Sequence, residues 1–343
     1  MKRVPNSPIF RTYIGSNRAT YLRAFAALGV LVIHYGGLGL RNIFPLDSFM
    51  GRALNNLVDF GGQGPTIFFV ASGFVLQRLY QSQGKFWKFL LSRYFRLAPA
   101  YLLVSAFAIF TQSLSGQLSL SLVIKKVLFL DMLFEDAYAF NPIGIGFFVV
   151  LEFWLTLVLG FYNCSKIRNN SNLLSVRQIS FTIASLMVSY FSVIIAQALN
   201  TELFRVDYLK YQAFFILGAL TYDFRNQYPT PLCKLRLVLI PLLFSVLFFE
   251  NYLGYLAALI SVVTLLSENT KVPSRPKWPL IAVGNICYSI YLLHIPLLRA
   301  LQLNDVKIDQ KIVAAMVLFV STITYLVIEL PFIRLGKKLL RIR

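Results

Sequence analysis

Charge is scarce in this chain, and acid is scarcest of all. Only 14% of its 343 residues are charged, where a soluble domain carries about 25%, so an ordinary soluble globule is excluded. Cysteine is nearly absent. Cys164, Cys233 and Cys287 show no paired or metal-like spacing, and the first two fall at expected cytoplasmic ends, where disulfides do not persist. No metal is expected. The first apolar run is too long for the core of a cleavable signal, so it is expected to act as an uncleaved anchor. No internal repeat and no low-complexity tract is visible, and the loops are short. These absences leave one integral membrane domain over residues 1–343, with no appended soluble domain.

The rest of the composition agrees. The chain is 57% hydrophobic, has 31 Phe and has a mean hydropathy of +0.66, which marks an all-α polytopic membrane protein. Apolar runs near the 17–25 residues that span a bilayer cover 20–40, 58–79, 97–113, 143–163, 179–199, 208–223, 236–249, 251–267, 280–301 and 312–333. That is a bundle of about ten helices. The seventh and eighth runs are short and meet at Glu250-Asn251, so a re-entrant pair is the alternative there.

The net charge of +19 would suggest nucleic acid in a soluble protein, but its distribution says otherwise. With the N-terminus inside, 23 of the 33 Lys and Arg fall in cytoplasmic segments and 8 outside, while Arg23 and Arg299 lie in spans. Such a bias sets topology and requires an even number of crossings. Both termini are therefore expected in the cytoplasm, with 1–18 as an N-terminal segment and 334–343 as a basic tail in a multi-pass cell-membrane protein. Nucleic acid is not an expected partner; membrane lipids are.

Ionisable residues inside spans are expensive and carry the functional signal. Arg23 and His34 stand eleven residues apart in the first run. At about 100° per residue they return to within roughly 20° of one direction, about 16 Å apart along a helix. Between them Ala24, Ala26, Ala27 and Gly29 allow close helix approach. The second run begins irregularly at Gly61-Gly62-Gln63-Gly64-Pro65 and carries Ser72-Gly73 in its middle. Ser72 is a packing residue or, with a base nearby, a nucleophile. Arg93 and Arg96, at i and i+3, place two guanidinium forks on one face where the third span leaves the cytoplasm. They are ordinary flanking charge or a clamp for a phosphorylated ligand. Glu152 and Glu329 lie within spans, and each needs a cationic or hydrogen-bonding partner. Tyr291 and His294 lie in the ninth span, where a His is usually structural.

Taken together, five pieces resemble the membrane-bound acyltransferase-3 family, which includes O-antigen and Nod-factor acetylases. They are Arg23…His34, Phe68-Phe-Val-Ala-Ser-Gly-Phe74, Arg93-x-x-Arg96 leading into Leu97-Ala-Pro-Ala-Tyr101, Tyr288-Ser-Ile-Tyr-Leu-Leu-His294-Ile-Pro296, and Glu329-x-Pro331. They run in the family's order across nearly the whole chain. The resemblance implies about ten spans and transfer of an acyl group, commonly acetyl, from cytoplasmic acyl-CoA to a carbohydrate hydroxyl. It puts the family's essential His on His34, its first-helix Arg on Arg23, its Arg pair on Arg93 and Arg96, and its late acid on Glu329. Many members show Trp-Ser-Leu before the fourth-span acid, where this chain has Phe147-Phe148-Val149, so the part played by Glu152 is open. Larger members add a soluble esterase-like domain after the last helix.

The mechanism these residues suggest has acyl-CoA phosphates on Arg23, Arg93 and Arg96, and the pantetheine arm reaching up to His34. His34 then deprotonates a hydroxyl of an extracytoplasmic or lipid-linked glycan as it attacks the thioester. An acyl-His intermediate is the alternative. Ser72, Glu152, Tyr291 and His294 stand as substrate or structural candidates beside the catalytic candidates His34 and Glu329. Two other classes compete. A glycan transporter or flippase is disfavoured by the lack of an inverted repeat. A glycan polymerase is disfavoured by the modest length of the outer loop over 114–142.

Overall fold

The computed structural model describes residues 17–35, 37, 40–41, 43–45, 47–83, 85–113, 120–130, 146–164, 184, 187, 210–227, 252–267, 278–303 and 309–341. Among these residues every extended element is a helix and none is a strand. In chain order they are α1 (Asn17–His34), α2 (Phe49–Gly61), α3 (Gly64–Gln83), α4 (Phe86–Ser113), α5 (Leu120–Val127) and α6 (Gly146–Cys164). There follow α7 (Lys210–Gln227), α8 (Tyr252–Leu266), α9 (Trp278–Leu303) and α10 (Gln310–Thr324), then a π turn (Tyr325–Glu329) and α11 (Leu330–Leu339). The runs expected over 179–199 and 236–249 fall outside the described residues apart from 184 and 187. Among the described residues two stretches, Trp278–Leu298 and Gln310–Leu339, are long and apolar enough to cross a membrane.

Several boundaries differ from the apolar runs, each for a local reason. The second run divides: α2 closes at Gly61, and α3 restarts at Gly64 after a turn at Gly62-Gln63. Helix α2 occupies what reads as loop, because its apolar residues lie on one side only. It is opened by Ser48, whose Oγ accepts the Gly51 N–H at 2.9 Å. Helix α4 begins at Phe86, so Arg93 lies about 10 Å inside the helix rather than at its mouth. The last run is interrupted at Tyr325–Glu329, where the Leu330 N–H bonds five residues back to the Tyr325 carbonyl. Pro331, with no N–H to give, follows at once.

The described residues form two compact units. The first comprises those up to Leu79 and those from Tyr211 to Cys287. Its core is α3, buried continuously from Thr66 to Gln77. Helix α3 crosses α7 with almost no space: a Cβ on Gly73 would stand 1.9 Å from the Phe215 carbonyl oxygen, and one on Gly218 2.0 Å from that of Val70. Helix α1 likewise lies against Gly64, where a Cβ would meet the Ala26 carbonyl at 2.6 Å. These small-residue crossings are how helices associate without a hydrophobic gradient between them.

The second unit comprises the residues from Tyr80 to Cys164, residues 184, 187 and 210, and those from Tyr288 onward. Leu97, Ala100, Tyr101 and Val104 of α4, Val149 and Val150 of α6, and Tyr288 and Leu292 of α9 build its core. Phe129 is its keystone. Its ring is stacked between Tyr101 and Phe153, with centroids 4.9 and 4.6 Å away, and its carbonyl accepts the Trp154 indole N–H at 2.8 Å. Those contacts hold Phe129 at φ 57°, a left-handed conformation that a bulky residue adopts only under constraint.

Candidate active site

The first unit's polar centre is Arg23, buried to 1% exposure inside an apolar bundle. Two residues of α3 hold it. The guanidinium lies over the Phe68 ring at 5.1 Å, and Nη2 donates to Ser72 Oγ at 2.8 Å. Phe68 and Ser72 are four residues apart, so one face of α3 offers both a π surface and a hydroxyl. On α1 the face that bears Arg23 also bears Thr20, Ala27, Val30 and Leu31, all buried. That face ends at His34, the last residue of the helix, which is exposed. The eleven-residue spacing thus joins a buried cation to an accessible imidazole along one continuous helix.

A second polar pair in this unit was not anticipated. Gln77 Nε2 donates to both carboxylate oxygens of Asp223, at 2.9 and 3.0 Å, and both side chains are buried. Asp223 stands at the edge of an apolar run and so reads as a boundary. The signal for it was Gln77, the one amide in the apolar stretch Phe68–Gln77.

The second unit contains a denser cluster. Arg93 Nη2 and Glu152 Oε1 form an ion pair at 2.6 Å between α4 and α6, with the side chains 3% and 2% exposed. Glu329, on the π turn, is fully buried and accepts a hydrogen bond from Ser289 Oγ on α9. Its other oxygen, Oε2, has no hydrogen-bond partner among the described residues. Arg96 is half-buried; it acts on Glu329 electrostatically but has no carboxylate at ion-pair distance among the described residues. The Tyr288 hydroxyl donates to the Leu97 carbonyl at 2.6 Å, tying α9 to α4 beside these charges. Each span acid therefore has the partner its burial demands: a cation for Glu152 and a hydroxyl for Glu329. Ser289 carries no sequence signal beyond its place in the Tyr288–Pro296 motif.

Tyr291 and His294 lie side by side in the second unit. Tyr291 stacks on Phe148 at 4.4 Å and meets the His294 ring edge-on at 6.3 Å. His294 is buried, and its Nδ1 lies 3.0 Å from the carbonyls of Ile290 and Tyr291. Carbonyls only accept, so Nδ1 carries the proton and Nε2 is the other edge of the ring. No group of three or more His, Cys, Asp and Glu able to hold a metal occurs among the described residues.

The described elements are all helices, two of the helical stretches are long and apolar enough to cross a membrane, and they bury arginines and carboxylates, the pattern of a membrane protein that keeps polar groups inside a bundle. Residues 17–328 match the acyltransferase domain, and the chain belongs to the acyltransferase-3 family, so it is a membrane acyltransferase. No curated protein and no solved structure matches it.

Proposed function

We propose that the protein transfers acetyl or another short acyl group from cytoplasmic acyl-CoA to a hydroxyl of an extracytoplasmic or lipid-linked carbohydrate. It does so in the cell membrane, with both termini in the cytoplasm. The observation that supports this most is the layout of α1 in a chain of this family. A buried guanidinium held by Ser72 shares a helix face with an exposed imidazole at the helix end. The donor's phosphates find their cationic charge among the candidates Arg23, Arg93 and Arg96, since guanidinium forks match phosphate oxygens in geometry and never lose their charge. The neutral imidazole of His34 takes the proton of the acceptor hydroxyl as that oxygen attacks the thioester carbonyl. The C–S bond breaks, an ester forms, and the thiolate of coenzyme A leaves to be protonated. Glu329, fully buried beside Ser289, is the second catalytic candidate.

The test is incubation of purified protein with radiolabelled acetyl-CoA and candidate glycans. Label should appear on the glycan in wild type and not in His34→Ala, which should remain folded and inserted. Wild-type activity in His34→Ala would remove His34 from the mechanism. Glycan movement without thioester loss would instead establish a transporter.

A further inference from the structure

Arg93 and Arg96 sit one turn apart on α4, yet their surroundings divide them. Arg93 is 3% exposed, and its guanidinium is committed at 2.6 Å to a carboxylate as deeply buried as itself. A phosphate could engage Arg93 only by displacing Glu152, which would cost that buried carboxylate its 2.6 Å ion pair, or by adding a second anion beside the first. Both are strongly unfavourable. Arg96 is half-buried, and among the described residues no carboxylate lies at ion-pair distance; Glu329 acts on it only from farther away.

From this contrast we infer that Glu152 withdraws Arg93 from ligand binding, making the Arg93–Glu152 pair a lock between α4 and α6, and that Arg96 alone of the two engages a phosphate of the donor. This rests on the acyl-CoA reading above. Glu152 thereby gains a role that its sequence context leaves open. The two arginines become unequal: one holds the helix in place and the other meets the ligand.

The experiment measures equilibrium binding of radiolabelled coenzyme A to the full chain in detergent micelles at fixed salt. Arg96→Gln should weaken binding by about ten- to a hundredfold, the range set by one hydrogen bond to a charged group. The double variant Arg93→Met/Glu152→Met and the charge swap Arg93→Glu/Glu152→Arg should both stay within about threefold of wild type, because each removes or reverses the pair as a unit. Phenylglyoxal labelling of wild type, read by peptide mass spectrometry, gives an answer even if those variants fail to fold. Arg96 should react and be protected by coenzyme A, while Arg93 should stay unmodified.

A double variant that loses as much affinity as Arg96→Gln would overturn the division of roles, as would coenzyme A protection of Arg93. Wild-type binding that survives Arg96→Gln would overturn it too, while leaving the donor reading intact. Wild type that binds no coenzyme A would overturn the donor reading and Arg96's part with it.

Discussion

Replacing Gly73 by Ala tests whether the α3–α7 crossing supports the Arg23 site. An added Cβ would stand 1.9 Å from the Phe215 carbonyl oxygen and 2.8 Å from its carbon. Carbon–oxygen contacts normally begin near ~3.3 Å, so the two backbones must part by about 1.4 Å. Overpacking a tight contact costs about 1–3 kcal/mol, and here both sides are backbone, which puts the cost at the upper end. Against that stands a gain of about 1 kcal/mol from Ala over Gly in a helix. The net expectation is a loss of about 2 kcal/mol, up to a thirtyfold change in the folded-to-unfolded ratio. Gly29→Ala is the internal control. It has the same propensity gain, but its nearest neighbours are the Cα and oxygen of Gly61 at 3.0 and 3.1 Å, so its net effect should be near zero. Denaturant titration in micelles compares the two. Ser72 is the residue before Gly73, so a displaced α3 should also carry its hydroxyl away from Arg23 and reduce acyl transfer beyond the loss of folded protein. If Gly73→Ala proves as stable and as active as Gly29→Ala, the crossing does not position the site.

Two more outcomes follow from the buried polar pairs. Gln77→Leu takes the amide donor from both Asp223 oxygens and should destabilise by about 1–3 kcal/mol; a Gln77→Leu protein as stable as wild type in the same titration would refute the pairing. Ser289→Ala should lower stability by about 0.5–3 kcal/mol, the worth of one buried hydrogen bond to a carboxyl group, and reduce transfer, while Ser289→Thr keeps the hydroxyl and both properties. A Ser289→Ala protein unchanged in stability and turnover would show that Glu329 does not depend on it.

Much of the architecture was legible from local pattern. Apolar runs gave α6, α7, α8 and α9 to within a few residues, and α1 with its end six residues too late, because helix and run share one cause, the need to satisfy backbone groups internally in an apolar setting. The misses came where run and helix part company. Helix α2 is amphipathic, with Arg52, Asn55 and Asp59 on one side and Leu54, Leu57 and Val58 on the other, so averaging its hydropathy hides it. Helix α4 starts eleven residues before its apolar run because the charged stretch Phe86–Arg96 is itself helical and partly buried.

For the site, the chain's own order was enough to put Arg23 and His34 on one face of one helix. That relation depends only on 3.6 residues per turn. It was enough, too, to mark Glu152 and Glu329 as groups that must find partners, since an isolated carboxylate in an apolar interior is too costly to keep. Which partner each would find was a matter of packing between helices distant in sequence. Arg93 reaches Glu152 across 59 positions, Gln77 reaches Asp223 across 146, and Ser289 reaches Glu329 across 40. Periodicity says which way a side chain points along its own helix. It says nothing of which neighbour a glycine crossing or a π turn will bring against it, and it was those contacts that made Arg93 and Arg96 different from one another.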